Sequence, residues 1–279
     1  MTVARHSRTL RSDSEARVPR ASFLRAAHPK PAYRLTSGPP ARTLILIPLG
    51  RTLFGMPIFT AFLALLLAGL TAPQQLVSFP TQDGGLVYAD LYGDGDRGVV
   101  LAHGGRFNKA SWEKQARTLA KAGFRVLAID FRGYGQSRGP GQSDPLSAPL
   151  HFDVLAAVRY LRTTGAKTVS VVGGSMGGGA AADASIEAKP GEIDRLVLLG
   201  ARAGGPPEKL KGRKLFITSR DDPHADGSPR LVQIRQQFEK APHPKELVIL
   251  DGSAHAQFIF ETEQGERLMR EILRFLSEP

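Results

Sequence analysis

Gly173-Gly174-Ser175-Met176-Gly177 sets a hydroxyl between two glycines, each two places away, where the β-branched run Val169, Val171 and Val172 gives way to an alanine-rich stretch around Ala180 and Ala184. The first stretch reads as a buried strand and the second as a helix, so about five residues must make the turn. Three chemistries use so compressed a turn. A phosphate-cradling loop needs a lysine before its Ser/Thr, and no lysine occurs between Lys167 and Lys189. A dinucleotide-binding turn needs G-x-G-x-x-G early in the chain, but Met176 or Ser175 stands where the second glycine belongs. G-x-S-x-G fits: a sharp strand-to-helix bend lifts a serine clear of the sheet, and the flanking positions must be small so that strand and helix can approach. The N-terminus of a helix also offers backbone N–H groups to developing negative charge.

A serine that attacks needs a base to take its proton and an acid to orient that base. In the chain order Ser, acid, His, the acid candidates are Asp221 and Asp222 in "RDDPHADG", after the strand "KLFITS". The base candidate is His255 in "GSAHAQF", after the strand "ELVILD", at a strand's C-terminal end, where catalytic groups collect in open α/β sheets. His224 stands beside the acid in a loop expected to be solvated, His243 precedes its strand, and His151 opens a helix.

The elements that must position these groups alternate. Strands are expected over residues 85–93, with "LVSF" as a hairpin partner across Asp83-Gly84, and over 98–105, 124–130, 168–172, 195–201, 214–219 and 246–251. Helices are expected from Ser111, as a cap, to Gly123, over 153–163 and 177–187, from Ser228-Pro229 to Lys240, and over 263–276 with Leu268, Ile272 and Phe275 inward. Such alternation with short links predicts an α/β fold: a mostly parallel central sheet with helices on both faces, in a single domain over residues 75–279.

"LAHGG" (His103, Gly104, Gly105), "DFRGYGQS" (130–137), "GGSMGG", "SRDDP" and "SAHAQF" together resemble the α/β-hydrolase fold family over residues 75–279. The resemblance implies a Ser175-Asp222-His255 triad, since relatives carry the acid before a proline much as Asp222 precedes Pro223; Asp221 remains the alternative. It implies an oxyanion hole from the backbone N–H groups of Gly105 and Met176, and a structural turn held by Asp130 and Arg132. Only residues 202–213 separate the sixth and seventh strands, which leaves no room for the large helical lid of many relatives. The chain in this respect is similar to small dienelactone-hydrolase-like enzymes and carboxylesterases. That implies hydrolysis of an ester or related acyl bond through an acyl-enzyme, on a small-molecule substrate, with no cofactor and no metal. A serine peptidase or thioesterase would use the same triad, and a non-catalytic binding module shares the fold. Arg106, directly after the glycines, is a candidate substrate contact that would favour an acidic group.

The formal charge of +11 does not point to nucleic acid, because it is unevenly spread. Residues 1–72 hold ten Lys/Arg against Asp13 and Glu15, leaving 27 basic and 24 acidic residues beyond, with no clustered basic face. The absence of cysteine excludes disulfides and a thiol nucleophile. Residues 1–50, rich in Arg, Ser and Pro, are expected to be a disordered basic leader, and the natural start is expected between residues 49 and 56. Residues 51–72, with the uncharged run "IFTAFLALLLAGLTA", are expected to be a signal peptide or an N-terminal membrane anchor, which predicts an exported or membrane-anchored protein.

Overall fold

The computed structural model describes residues 74–145 and 147–278. The basic leader and the apolar segment 51–72 therefore lie outside the described residues. Among the described residues, no helix is long and apolar enough to cross a membrane.

The strands β1 (Gln75–Pro80), β2 (Leu86–Tyr92), β3 (Arg97–Ala102), β4 (Phe124–Ile129), β5 (Thr168–Gly174), β6 (Arg195–Leu199), β7 (Arg213–Ser219) and β8 (Lys245–Leu250) form one sheet in the order β1-β2-β4-β3-β5-β6-β7-β8. The hairpin β1–β2 is antiparallel, as is the pairing of β2 with β4, and the other five pairings are parallel. Among the described residues, five α-helices cover it: α1 (Glu113–Lys121), α2 (His151–Thr163), α3 (Met176–Glu187), α4 (Arg230–Lys240) and α5 (Gly265–Ser277).

Alternation along the strands divides the core in two. Val100, Val171, Leu198 and Phe216 point to one face and pack with Val154 and Leu161 of α2, Ala181 of α3 and Ile234 of α4. Val99, Leu101, Val172, Val197 and Ile217 point to the other and pack with Leu119 of α1 and Leu268, Ile272 and Phe275 of α5. Strands buried on both faces must be apolar nearly throughout, which is why β3 and β6 carry the runs VVLA and LVLL, and β5 breaks its valines only at the buried Ser170.

Two local expectations differ from the structure. Asn108, not Ser111, begins the first helical segment: its side chain accepts from the Ala110 N–H at 3.0 Å and starts a 3-10 turn (Lys109–Trp112) that runs into α1. Ser111 lies inside that turn, and its hydroxyl donates to the Asn108 carbonyl at 2.7 Å. A second 3-10 turn (Ala256–Glu261) precedes α5, which begins at Gly265. Between β6 and β7 stands only a short 3-10 turn (Pro207–Lys209), so nothing inserted there covers the sheet edge.

The chain leaves β3 toward β4 on one side and later returns to place β5 on the other. The strand order thus reverses at β3, and a crevice opens above the C-terminal ends of β3 and β5, where Ala102 pairs with Gly173.

Candidate active site

Ser175 follows β5 directly, with φ 51° and ψ −117°, backbone angles that a residue bearing a side chain rarely adopts. Its N–H donates to the Leu199 carbonyl at 2.9 Å, and its own carbonyl accepts from Gly179 at 2.9 Å, opening α3. The glycines are required by crowding. A Cβ on Gly173 would stand 2.4 Å from the Gly177 carbonyl oxygen, and one on Gly177 would stand 2.3 Å from the Ala102 carbonyl oxygen. Helix α3 therefore starts hard against the ends of both β5 and β3.

His255 comes from the loop after β8 and Asp222 from the loop after β7. The imidazole Nε2 lies 2.8 Å from Ser175 Oγ, and Nδ1 lies 2.6 Å from Asp222 Oδ2. With the carboxylate accepting from Nδ1–H, Nε2 is the acceptor that faces the serine hydroxyl. Asp222 is buried and Asp221, its neighbour, is exposed. Of the two candidates only Asp222 meets the imidazole. Gly200, at the end of β6 with φ 55°, leaves room for the ring: a Cβ there would stand 3.2 Å from His255 Nδ1. The Ser219 hydroxyl donates to the Ala254 carbonyl at 2.7 Å, tying the end of β7 to the histidine loop.

The loop after β3 closes the other side. Gly105 and Met176 are adjacent, since a Cβ on Gly105 would stand 3.6 Å from Met176 Sδ. Tyr134 donates to the Gly105 carbonyl at 2.9 Å. His103 is fully buried and neutral: Nδ1–H donates to the Gly104 carbonyl at 2.9 Å, Nε2 accepts from the Phe131 N–H at 3.3 Å, and burial pushes its pKa down. It holds the loop and does not reach the serine's partners.

Asp130 and Arg132 sit where the turn after β4 needs them. Asp130 accepts from the Lys109 N–H at 2.7 Å. Arg132 is wholly buried and pairs with Asp153 at 2.6 Å and Asp83 at 2.5 Å. Burial opposes the guanidinium charge, but the two carboxylates outweigh it and raise the pKa.

Two residues at the site escaped the sequence reading, Gln257 and Arg230, and a third, His224, is placed differently from its expectation. Gln257 accepts from the Gly104 N–H at 2.6 Å and donates to the Ser111 hydroxyl at 3.0 Å, so it anchors the glycine loop from two places beyond His255. Arg230, first residue of α4, brings Nε to 3.2 Å from Asp222 Oδ1, although its N–H is directed at the Pro223 carbonyl, 3.1 Å away. His224 is half-buried, not solvated as expected, because its loop folds back on itself through a bond from its N–H to the Ser228 carbonyl at 2.8 Å. Each lies in or at the end of a connection whose course only the fold defines. Arg106 is exposed and lines a cavity beside Ser175. Among the described residues, no group of three or more His, Cys, Asp or Glu is arranged to hold a metal ion.

Residues 98–217 match the family model described as alpha/beta hydrolase fold. A 2-hydroxy-6-oxononadienedioate/2-hydroxy-6-oxononatrienedioate hydrolase of Burkholderia vietnamiensis is 32% identical over 149 residues, covering 51% of this chain and 50% of that protein. A non-heme haloperoxidase of Rhodococcus erythropolis is 32% identical over 121 residues, covering 43% of this chain and 42% of the other. The chain thus spans about half the length of the curated relatives it matches. Among solved structures, a dienelactone hydrolase from Anabaena variabilis superposes with a TM-score of 0.58 at 22% identity, covering 73% of this chain and 96% of that one. An esterase from Pyrococcus furiosus gives 0.57 at 21%, covering 74% and 91%. Sheet order, sharp serine turn and sequence match agree: the chain has the α/β-hydrolase fold.

Proposed function

We propose that the chain is a serine hydrolase that cleaves an ester or related acyl bond through an acyl-enzyme. One observation carries this: the unbroken hydrogen-bonded path from Ser175 Oγ through His255 to the buried Asp222. Ser175 Oγ attacks the acyl carbon while His255 Nε2 takes its proton, and Asp222 stabilises the imidazolium and keeps the ring aimed. The tetrahedral oxyanion falls to the N–H groups of Gly105 and Met176, the latter at the positive end of α3. His255 then hands the proton to the departing oxygen. Water, activated by the same imidazole, releases the acid and restores the serine. Arg106, in the cavity wall, contacts the substrate. No step calls for a metal or an organic cofactor. A peptidase or thioesterase would run the same cycle. The apolar run in residues 58–72 supports export or membrane anchoring, which N-terminal sequencing and fractionation of the natural protein would test.

Labelling with a fluorophosphonate probe tests the reading directly. The wild type is expected to label and Ser175→Ala to lose both label and hydrolysis, by at least about a thousandfold in kcat. A folded wild-type protein that never labels would be a binding module. A panel of matched esters, thioesters and aminoacyl amides then orders the acyl classes, with esters expected to be fastest.

A further inference from the structure

Two cavities of similar size open on either side of Ser175, and their walls differ in chemistry. One, about 490 Å³, is bounded by His255, by Phe107 and Phe258, whose ring centroids lie 4.8 Å apart, and by Arg106, Asp222 and Arg230, the last shared with the second cavity. The other, about 510 Å³, extends from Ser175 and Met176 to Arg202, His224, Arg230 and Gln233, and no carboxylate residue lines it.

The second cavity is rich in unused polar capacity. Arg230 directs its Nε–H to the Pro223 carbonyl at 3.1 Å and pairs with Asp222 Oδ1 at 3.2 Å, and neither Nη group has a hydrogen-bond partner among the described residues. Arg202 is exposed, and its guanidinium takes part in no hydrogen bond or ion pair among the described residues. His224 Nε2 and Gln233 Oε1 are both buried without a hydrogen-bond partner. Buried polar atoms are nearly always paired in native proteins, so the orphaned His224 Nε2, which as Nε2–H can donate, calls with the two arginines for an acceptor ligand; a carboxylate does not pair Gln233 Oε1, which can only accept. The first turns of α3 and α4 also border the cavity, and helix N-termini favour negative charge.

We propose that this cavity receives a carboxylate on the acyl portion of the substrate, so that the preferred substrates are monoesters of dicarboxylic acids with an apolar or aromatic alcohol. This rests on the serine-hydrolase reading above. The polarity follows from the proton path. His255 must deliver its proton to the departing oxygen, and His255 borders the aromatic cavity, so the alcohol leaves on that side and the acyl chain lies on the other. The Ser175 Oγ–acyl bond forms as the ester C–O bond breaks, and the serine proton passes through Nε2 to the alcohol. Water then cleaves the acyl-enzyme to a free dicarboxylate. A planar guanidinium with two free Nη groups matches a carboxylate in bidentate fashion.

The test compares mono(4-nitrophenyl) adipate with 4-nitrophenyl hexanoate, which match in length and leaving group and differ in the terminal carboxylate. The wild type is expected to favour the adipate by about tenfold or more in kcat/KM, mainly through KM. Arg202→Gln should cut that selectivity ratio by about tenfold, His224→Asn by a smaller factor, and Arg106→Gln, in the other cavity, should keep it. Equal use of both esters by the wild type, or loss of the ratio in Arg106→Gln with retention in Arg202→Gln, overturns the assignment. Calorimetric binding of free adipate to Ser175→Ala reads the cavity without catalysis and should vanish when Arg202→Gln is added. Adipate binding by a protein that never labels with fluorophosphonate would sink the hydrolase reading and leave the cavity standing. Labelling without adipate binding would do the reverse.

Discussion

Two buried polar clusters lie in this molecule, one around Arg132 and one around Ser175, and they are finished in opposite ways. Arg132 is closed: Asp83 and Asp153 take its guanidinium, its backbone N–H donates to Asp153, the Pro140 carbonyl accepts a further bond, and Thr81 supports Asp83 at 2.6 Å. The Ser175 cluster is open at both ends. Asp222 Oδ1 accepts no hydrogen bond, and the imidazole side chain keeps 26% of its surface exposed. A cluster that satisfies itself has nothing left to offer a substrate and serves the fold, whereas one left incomplete keeps donors and acceptors for a reacting group.

Breaking each cluster should therefore fail in a different assay. Asp222→Asn is expected to lower kcat by about three to four orders of magnitude with little change in the urea midpoint, while Asp221→Asn, at the exposed neighbour, should change neither. Equal losses at both positions would mean that the loop as a whole, not one carboxylate, matters. Arg132→Met leaves two carboxylates without their cation and should destabilise the protein by about 3–5 kcal/mol, read from urea unfolding. A variant with full stability and lost activity would erase the contrast between the clusters.

A pH series sharpens it. The Arg132 guanidinium beside Asp83 holds its carboxyl below the usual range, so Asp83 contributes stability that is present above the unfolded carboxylate pKa, about 4, and is lost as pH falls through the lower folded value. Burial pushes Asp153 the other way despite Arg132, so its contribution weakens as pH rises past the unfolded value and partly offsets the first. Asp83→Asn should accordingly be less stable than wild type at pH 7, with the gap narrowing below about pH 4. The smallest effect concerns the strained turn. Ser175→Gly, free to adopt φ 51°, should gain about 1 kcal/mol of stability while losing activity. A loss of stability there would show that the turn costs nothing to hold.

The elbow was legible from the chain because its demands are local: crowding between one strand, one helix and the end of β3 forces glycine at 173 and 177, and that leaves a mark in a window of a few residues. The choice between Asp221 and Asp222 was not, since adjacent loop residues share every local signal and only the fold turns one inward. Asn108 and Ser111 both carry capping chemistry, and the entry of the chain from β3 decides between them. The cationic cavity left no trace, because Arg202, after β6, meets His224 and Arg230, after β7, only in the fold. Periodicity located the strands and helices well, and it was silent on the three 3-10 turns among the described residues, too short to show a repeat.

Gln257 makes the proton carrier and the amide cradle mechanically inseparable. Its side chain spans from the histidine loop to Gly104 N–H and the Ser111 hydroxyl, so under the proposed mechanism an excursion that carries His255 off the serine would also disturb the loop that is to supply the oxyanion donor of Gly105.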